Sequence, residues 1–191
     1  YEHEVVVNPS LCGACGICAG SCPASNPFRT PRGELKTGID MPQLPVDEMR
    51  RLTRETIEAM TGDLKIIVFG CEHGLNVKRL DCDDTRGIKL ICSGMLPPTL
   101  VEYALKQGAD GVMVTGCRHN DCYFRFGNRW TKMRFDGERK PSLRARAEHE
   151  RIRLHGAAET DRREIDQDLD DFRQQLRTLN QAAAVAIVES D

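Results

Sequence analysis

Three short apolar runs divide the middle of the chain, and each stops at a small residue and a cysteine. Leu64-Lys65-Ile66-Ile67-Val68-Phe69 leads into Gly70-Cys71, Ile88-Lys89-Leu90-Ile91 into Cys92-Ser93-Gly94, and Gly111-Val112-Met113-Val114-Thr115 into Gly116-Cys117. Runs of this length, rich in β-branched residues and nearly continuous in apolar character, are expected as buried strands. A fourth strand is expected from Ile152 to Ala157.

Between and around these runs the period changes to that of a helix. Asp47 is a candidate cap for a helix to about Met60, with Met49, Leu52, Ile57 and Met60 on one face and Gly62 after it. Pro97-Pro98 opens a second helix, with Val101, Ala104 and Leu105 as its stripe and Gly108 at its end. The stretch from Cys117 to about Phe135 is expected as a third crossover helix. From about Glu159, Ile165, Leu169, Phe172, Leu176 and Leu179 recur at steps of four and three, one face of an amphipathic helix. Strands alternating with helices imply an α/β fold with a flavodoxin-like parallel sheet.

The flanks read differently. Val5-Val6-Val7 is a β-type run broken by Asn8-Pro9, and residues 11–23 are small, Gly-rich and Cys-rich. Residues 24–46 carry Pro27, Pro31, Pro42 and Pro45 and read as a linker or wrapping segment. Residues 136–150 are polar and basic and are expected in solvent, whereas the Ala/Val-rich stretch 181–188 can extend the last helix. The expected division is a small Cys-rich segment over 1–30, a linker and connecting helix over 31–62, the α/β domain over 63–180 and a tail over 181–191.

Composition narrows the function. The 191 residues hold 27 Lys+Arg against 29 Asp+Glu, so no excess of basic charge points to nucleic acid. Mean hydropathy is -0.46, and no run approaches the roughly 18 apolar residues of a membrane span. Aromatics are only 5%, which leaves the core to aliphatic residues. The outlying number is nine cysteines. The visible start, Tyr1-Glu2-His3-Glu4, has no secretory pattern, and the opening Tyr leaves upstream sequence open. The cysteine spacings suit metal better than a disulfide framework.

Cys12-x2-Cys15-x2-Cys18-x3-Cys22-Pro23 is the spacing of a bacterial ferredoxin run for a [4Fe-4S] cluster. Soft thiolates suit its iron, and steps of three let a tight loop aim several sulfurs at one cubane. Gly13, Ala14 and Gly16 keep bulk away and free backbone N–H groups for the sulfides. Zinc motifs rarely place cysteines this way. Cys22 is a ligand either of the same cubane or of another cluster whose remaining ligands lie elsewhere.

Cys71, Cys92 and Cys117 each end an expected strand. In a parallel sheet those ends share one edge, where ligands bind. Cys122 follows Cys117 by five residues, at an expected helix start whose dipole favours a thiolate. Four converging thiols suggest a second iron–sulfur site, of either [2Fe-2S] or [4Fe-4S] type; a zinc site aided by His73 or His119 is the intermediate reading, and buried cysteines serving as small hydrophobes the plainest one. Cys82, between Asp81 and Asp83, ranks last as a ligand because adjacent carboxylates disfavour its thiolate.

With these residues in view, the stretch from about Lys65 to Arg134 resembles the delta subunit of methyl-viologen-reducing hydrogenase. The resemblance rests on Cys71, Cys92-Ser93-Gly94, Gly108-Ala109-Asp110-Gly111-Val112, Gly116-Cys117-x4-Cys122-Tyr123 and Gly127-Asn128. It departs at Cys71-Glu72-His73-Gly74, where the family often has a second cysteine, at Cys122-Tyr123-Phe124 in place of Cys-His-Tyr, and at Met95, where a basic residue is usual. A ferredoxin run followed by such a domain is similar to fusions in heterodisulfide reductase and in quinone-interacting membrane-bound oxidoreductase. The resemblance implies a cysteine-bound [2Fe-2S] cluster.

The resulting expectation is an iron–sulfur electron-transfer subunit, not itself the catalyst, within a larger oxidoreductase complex. Cys12, Cys15, Cys18 and Cys22 would hold the [4Fe-4S] cluster, and Cys71, Cys92, Cys117 and Cys122 the second, [2Fe-2S] cluster. By resemblance its partners would be a flavoprotein, a heterodisulfide-reductase-like or cytochrome b-type quinone-reactive subunit, or a hydrogenase or dehydrogenase. Its expected place is the cytoplasm or the cytoplasmic face of a membrane complex. The alternatives are a thiol–disulfide or flavin oxidoreductase using Cys117 and Cys122, and a zinc-stabilised interaction module.

Overall fold

The computed structural model describes residues 7–22, 28–29, 35–36 and 39–188. Val5, Val6 and much of the expected 24–46 linker lie outside the described residues.

A short helix, α1 (Ile17–Ser21), carries Cys18 and is succeeded by a small antiparallel pair, β1 (Phe28–Arg29) and β2 (Leu35–Lys36). Helix α2 (Val46–Glu58) leads to β3 (Ile66–Cys71) and, through a 3-10 turn at Val77–Leu80, to β4 (Thr85–Leu90). Then come α3 (Pro98–Lys106), β5 (Gly111–Gly116), α4 (Gly127–Phe135), β6 (Ile152–Gly156) and α5 (Arg162–Val188). The main sheet is parallel throughout, in the order β4-β3-β5-β6, with Ile66 opposite both Thr85 and Gly111, and Val112 opposite Ile152. The chain builds outward from β3 to β4, then returns to the other side for β5 and β6. This is the flavodoxin-like order, and its direction reverses between β3 and β5.

The central strands β3 and β5 are buried on both faces because successive side chains alternate between two cores. Ile67, Phe69, Val112 and Val114 pack with Met49 and Ile57 of α2, with Leu100, Val101 and Ala104 of α3, and with Phe135 of α4. Ile66, Val68 and Met113 face the opposite way, onto Ile165, Leu169, Phe172 and Leu176 of α5. The four-three spacing read from the sequence of α5 is therefore its buried stripe.

Three local expectations change. The helix expected from Cys117 begins only at Gly127, because Asn120 (φ 63°) and Arg125 (φ 64°) adopt left-handed backbone that a right-handed helix cannot contain. Cys122 accordingly lies in the loop before the helix. The basic segment 136–150 is not wholly solvated: Leu143 is buried, and Arg139 stacks over Trp130 at 4.3 Å. Asp47 is inside the first turn of α2 and Pro45 is the cap; Asp40 Oδ1 accepts from the backbone N–H of Val46 at 2.9 Å. Helix α5 runs on through 181–188. Among the described residues no helix is long and apolar enough to cross a membrane.

Candidate functional site

The reversal between β3 and β5 makes a crevice at the C-terminal edge of the sheet, where open α/β folds take their ligands. Cys71 is the last residue of β3 and Cys117 the first after β5. Their sulfurs are 3.9 Å apart, and both residues are buried. Cys92, also buried, leaves β4 and opens a tight turn in which Gly94 N–H donates to its sulfur at 3.3 Å.

Cys122 reaches the same place from the loop before α4. A Cβ on Gly127, the first residue of that helix, would overlap Cys92 Sγ and stand 3.4 Å from Cys122 Sγ. Only a glycine lets the helix start come so close to both sulfurs. Four thiols thus meet at one edge, three from strand ends and one from a loop.

Asn128 locks this arrangement. Its amide Nδ2 donates to the carbonyl of Cys117, while its Oδ1 accepts from Ser93 Oγ at 3.0 Å. One side chain therefore ties the loop after β5 to the turn after β4. Its role is not legible from the Gly127-Asn128 dipeptide alone.

The thiols are electrostatically unlike one another. The neighbouring Cys92 thiol, opposed by burial and aided by the backbone N–H groups of His73 and Ser93, draws Cys71 down to about 6. The same partnership with Cys71, together with burial, pushes Cys92 well above the usual thiol range. Burial pushes Cys117 up to about 11, against a hydrogen bond from Tyr123 N–H. Four soft donors, no carboxylate among them and backbone N–H groups aimed at three of the sulfurs form a donor set that suits iron–sulfur chemistry. Among the described residues, no three His, Cys, Asp or Glu side chains are grouped to hold a single metal ion.

Among the described residues, neither the His73 nor the His119 imidazole hydrogen-bonds a thiol. His73 stacks on Tyr123 with ring centres 3.8 Å apart, and Phe124 meets the same imidazole edge-on. Tyr123 is 68% exposed, so the aromatic group forms the outer rim of the crevice. Cys82 lies elsewhere: it bridges to Thr85, donates to Asp84 Oδ1 at 3.1 Å and accepts from Arg173.

The N-terminal run packs directly on this edge. Ala14 (φ 54°) and Gly16 (φ 73°) turn the loop between Cys12 and Cys18. Cys12 and Cys18 are exposed, and Cys15 and Cys22 half-buried. Helix α1 then lies on the Cys92–Met95 turn so closely that a Cβ on Gly20 would overlap the Gly94 carbonyl oxygen. Ile17 contacts Gly94 from the same side, and Phe124 approaches Gly13. The two cysteine groups are thus neighbours, separated by a glycine-on-glycine contact.

Beneath that contact sits Arg134 of α4, fully buried. Its Nη2 donates to Gly94 O at 2.7 Å and its Nε to Trp130 O at 3.2 Å, while Nη1 has no partner. Burial, with help from the nearby Arg139 charge, draws it down to about 10.

Comparison with known proteins places this geometry in a family. Residues 66–180 match the family model of the methyl-viologen-reducing hydrogenase delta subunit. An F420-non-reducing hydrogenase iron-sulfur subunit of Archaeoglobus profundus is 39% identical over 67 residues, 35% of this chain and 49% of that protein. A subunit of the ferredoxin:CoB-CoM heterodisulfide reductase of Methanosarcina mazei is 47% identical over 51 residues, 27% of this chain but 6% of that protein. The F420-non-reducing hydrogenase vhc iron-sulfur subunit of Methanococcus voltae is 42% identical over 48 residues, 25% of this chain and 33% of that protein. The matches therefore span half or less of each relative. The family model covers the whole main sheet and most of α5, and on that footing the chain belongs to the methyl-viologen-reducing hydrogenase delta subunit family.

Proposed function

We propose that this chain is an iron–sulfur electron-transfer subunit or domain of a larger oxidoreductase complex. The observation that carries the reading is the meeting of Cys71, Cys92, Cys117 and Cys122 at the sheet's reversal point, with the Cys12–Cys22 run packed against the same turn. On this reading Cys12, Cys15, Cys18 and Cys22 hold a [4Fe-4S] cluster, within an N-terminal ferredoxin-type segment over 1–30. The four sheet-edge cysteines, within an α/β domain over 63–180, hold a second cluster of [2Fe-2S] type. The linker is 31–62 and the tail 181–191.

Bound clusters supply reversible one-electron chemistry. The residues do the rest. Thiols fix position, burial excludes water at Cys71, Cys92 and Cys117, and N–H groups on those three sulfurs favour the charge they carry. Each passage takes one electron from a reduced donor and gives one to an oxidised acceptor, with no bond made or broken in this chain. Donor and acceptor are other subunits of the complex, such as a hydrogenase or dehydrogenase on one side and a heterodisulfide-reductase-like flavoprotein or quinone-reactive subunit on the other. The names of the relatives support that class, and the complex would be cytoplasmic or lie at the cytoplasmic face of a membrane.

The test is anaerobic iron and acid-labile sulfide analysis with EPR of the reduced protein. About six iron atoms per chain fit a cubane plus a [2Fe-2S] cluster, about eight fit two cubanes, and about four leave one site empty. Zinc in place of iron at the sheet edge would overturn the reading.

A further inference from the structure

Arg134 is an expensive residue to bury. A buried charge is tolerated when it is paired and fully hydrogen-bonded. Arg134 is fully buried, shares no ion pair among the described residues, and has as electrostatic neighbours another cation, Arg139, and the Cys92 thiol. Two of its nitrogens donate to the backbone oxygens of Trp130 and Gly94, and the third, Nη1, donates to nothing. That nitrogen is aimed at α1: a Cβ on Gly20 would lie 2.7 Å from it. Gly20 stands between Cys18 and Cys22 in the chain, and Gly94 two residues after Cys92. A second buried group without a hydrogen-bond partner, Ser21 Oγ, adjoins on α1. The uncompensated charge thus sits at the seam between the two cysteine groups.

We infer that Arg134 is the counter-cation shared by the two cysteine groups, its fixed charge offsetting the negative charge that thiolates and bound clusters bring to either side of the seam. This rests on the cluster reading proposed above. It makes Arg134 a positioning residue that ligates nothing. Its charge stabilises the reduced, more negative state at both sites and so raises both midpoint potentials. Its bond to Gly94 O holds the turn carrying Cys92 against α1.

The experiment compares the full chain with Arg134→Gln and Arg134→Lys by anaerobic EPR-monitored redox titration, iron analysis and circular dichroism. Glutamine can still donate to Gly94 O but carries no charge; lysine keeps the charge. With Arg134→Gln, both signals should keep their shape and titrate at lower potential. The expected size is about a tenfold lower ratio of reduced to oxidised cluster at a fixed ambient potential, or about 59 mV for one electron. Arg134→Lys should stay near the wild type. Full iron with unshifted midpoints in Arg134→Gln overturns the inference and leaves the cluster reading standing. Should Arg134→Gln lose its iron, lysine decides: retained iron with retained midpoints supports the shared charge, and lost iron or lowered midpoints overturns it. A wild-type chain without iron fails at the earlier step, and that failure is seen before any variant is compared.

Discussion

The sulfurs of Cys71 and Cys117 lie 3.9 Å apart although 46 residues separate them in the chain. Two neighbouring parallel strands end together, and the residue at each end is a cysteine. Replacing Cys117 by serine removes a soft donor while leaving the backbone of β5 in place. The expected outcome is loss of one EPR signal and its share of iron, with the ferredoxin-type signal unchanged. Persistence of both signals would show that neither cluster requires the Cys117 thiol.

Gly127 allows a sharper test, because it alters no donor. An alanine Cβ would overlap Cys92 Sγ, so the sulfur or the start of α4 must move. Overpacking of this kind costs about 1–3 kcal/mol. Gly127→Ala should lower the midpoint of chemical denaturation and reduce iron at the sheet edge, with the N-terminal run still loaded. Wild-type iron content and stability would mean that the helix start has more freedom than the contact implies.

Asn128→Ala leaves Ser93 Oγ without its acceptor and the carbonyl of Cys117 without its donor. A loss of about 1–3 kcal/mol is expected from leaving such groups unsatisfied. Urea titration of the metal-free protein measures it, free of any contribution from bound iron.

Phe172 reports on the opposite face. It is fully buried beneath the sheet, with Arg153 over its ring at 5.0 Å. Phe172→Ala should destabilise the domain by about 3–5 kcal/mol. Because the thiols lie at the edge of the sheet, the potentials of any protein that remains folded should stay unchanged.

Acid should loosen the junction between the Cys117 loop and the 3-10 turn Glu159–Asp161 that precedes α5. Arg118 Nε donates to Asp161 Oδ2 at 2.8 Å, and this pairing holds the Asp161 carboxyl far below the usual carboxylate range. A depressed acid stabilises the fold above its unfolded value of about 4 and loses that contribution as pH falls towards its folded value. Thermal melts from pH 6 down to pH 3 should therefore fall less steeply for Asp161→Asn than for the wild type. Parallel curves would remove this pair from the acid response.

The strands and α5 were legible because burial imposes a period. Phe69 and Val114 turn to one core and Ile66 and Met113 to the other, so Ile66–Phe69 and Val112–Val114 carry no polar residue. The convergence of the strand-end cysteines followed from the parallel sheet. What escaped was set by contacts between distant residues. Asn120 and Arg125 take left-handed backbone with no glycine to announce it, which delays α4 to Gly127. Arg134, in the basic stretch Arg129-Trp130-Thr131-Lys132-Met133-Arg134, has the composition of an exposed face, yet the Gly94 turn and α1 lie against it and it is fully buried.

The two proposed ligand sets differ in when they can exist. Cys12 to Cys22 span eleven residues and need only a local loop, whereas the other four thiols meet only after β3, β4 and β5 have paired. On the proposed reading, iron at the sheet edge would be bound by the native state alone and would stabilise it by mass action, as a ligand absent from the unfolded chain must. That reading predicts an ordered maturation. A chain supplied with iron and sulfide in denaturing urea should load the early site, and the late one should fill only as urea is withdrawn. The reverse order, followed by EPR, would show that the sheet edge does not depend on the fold.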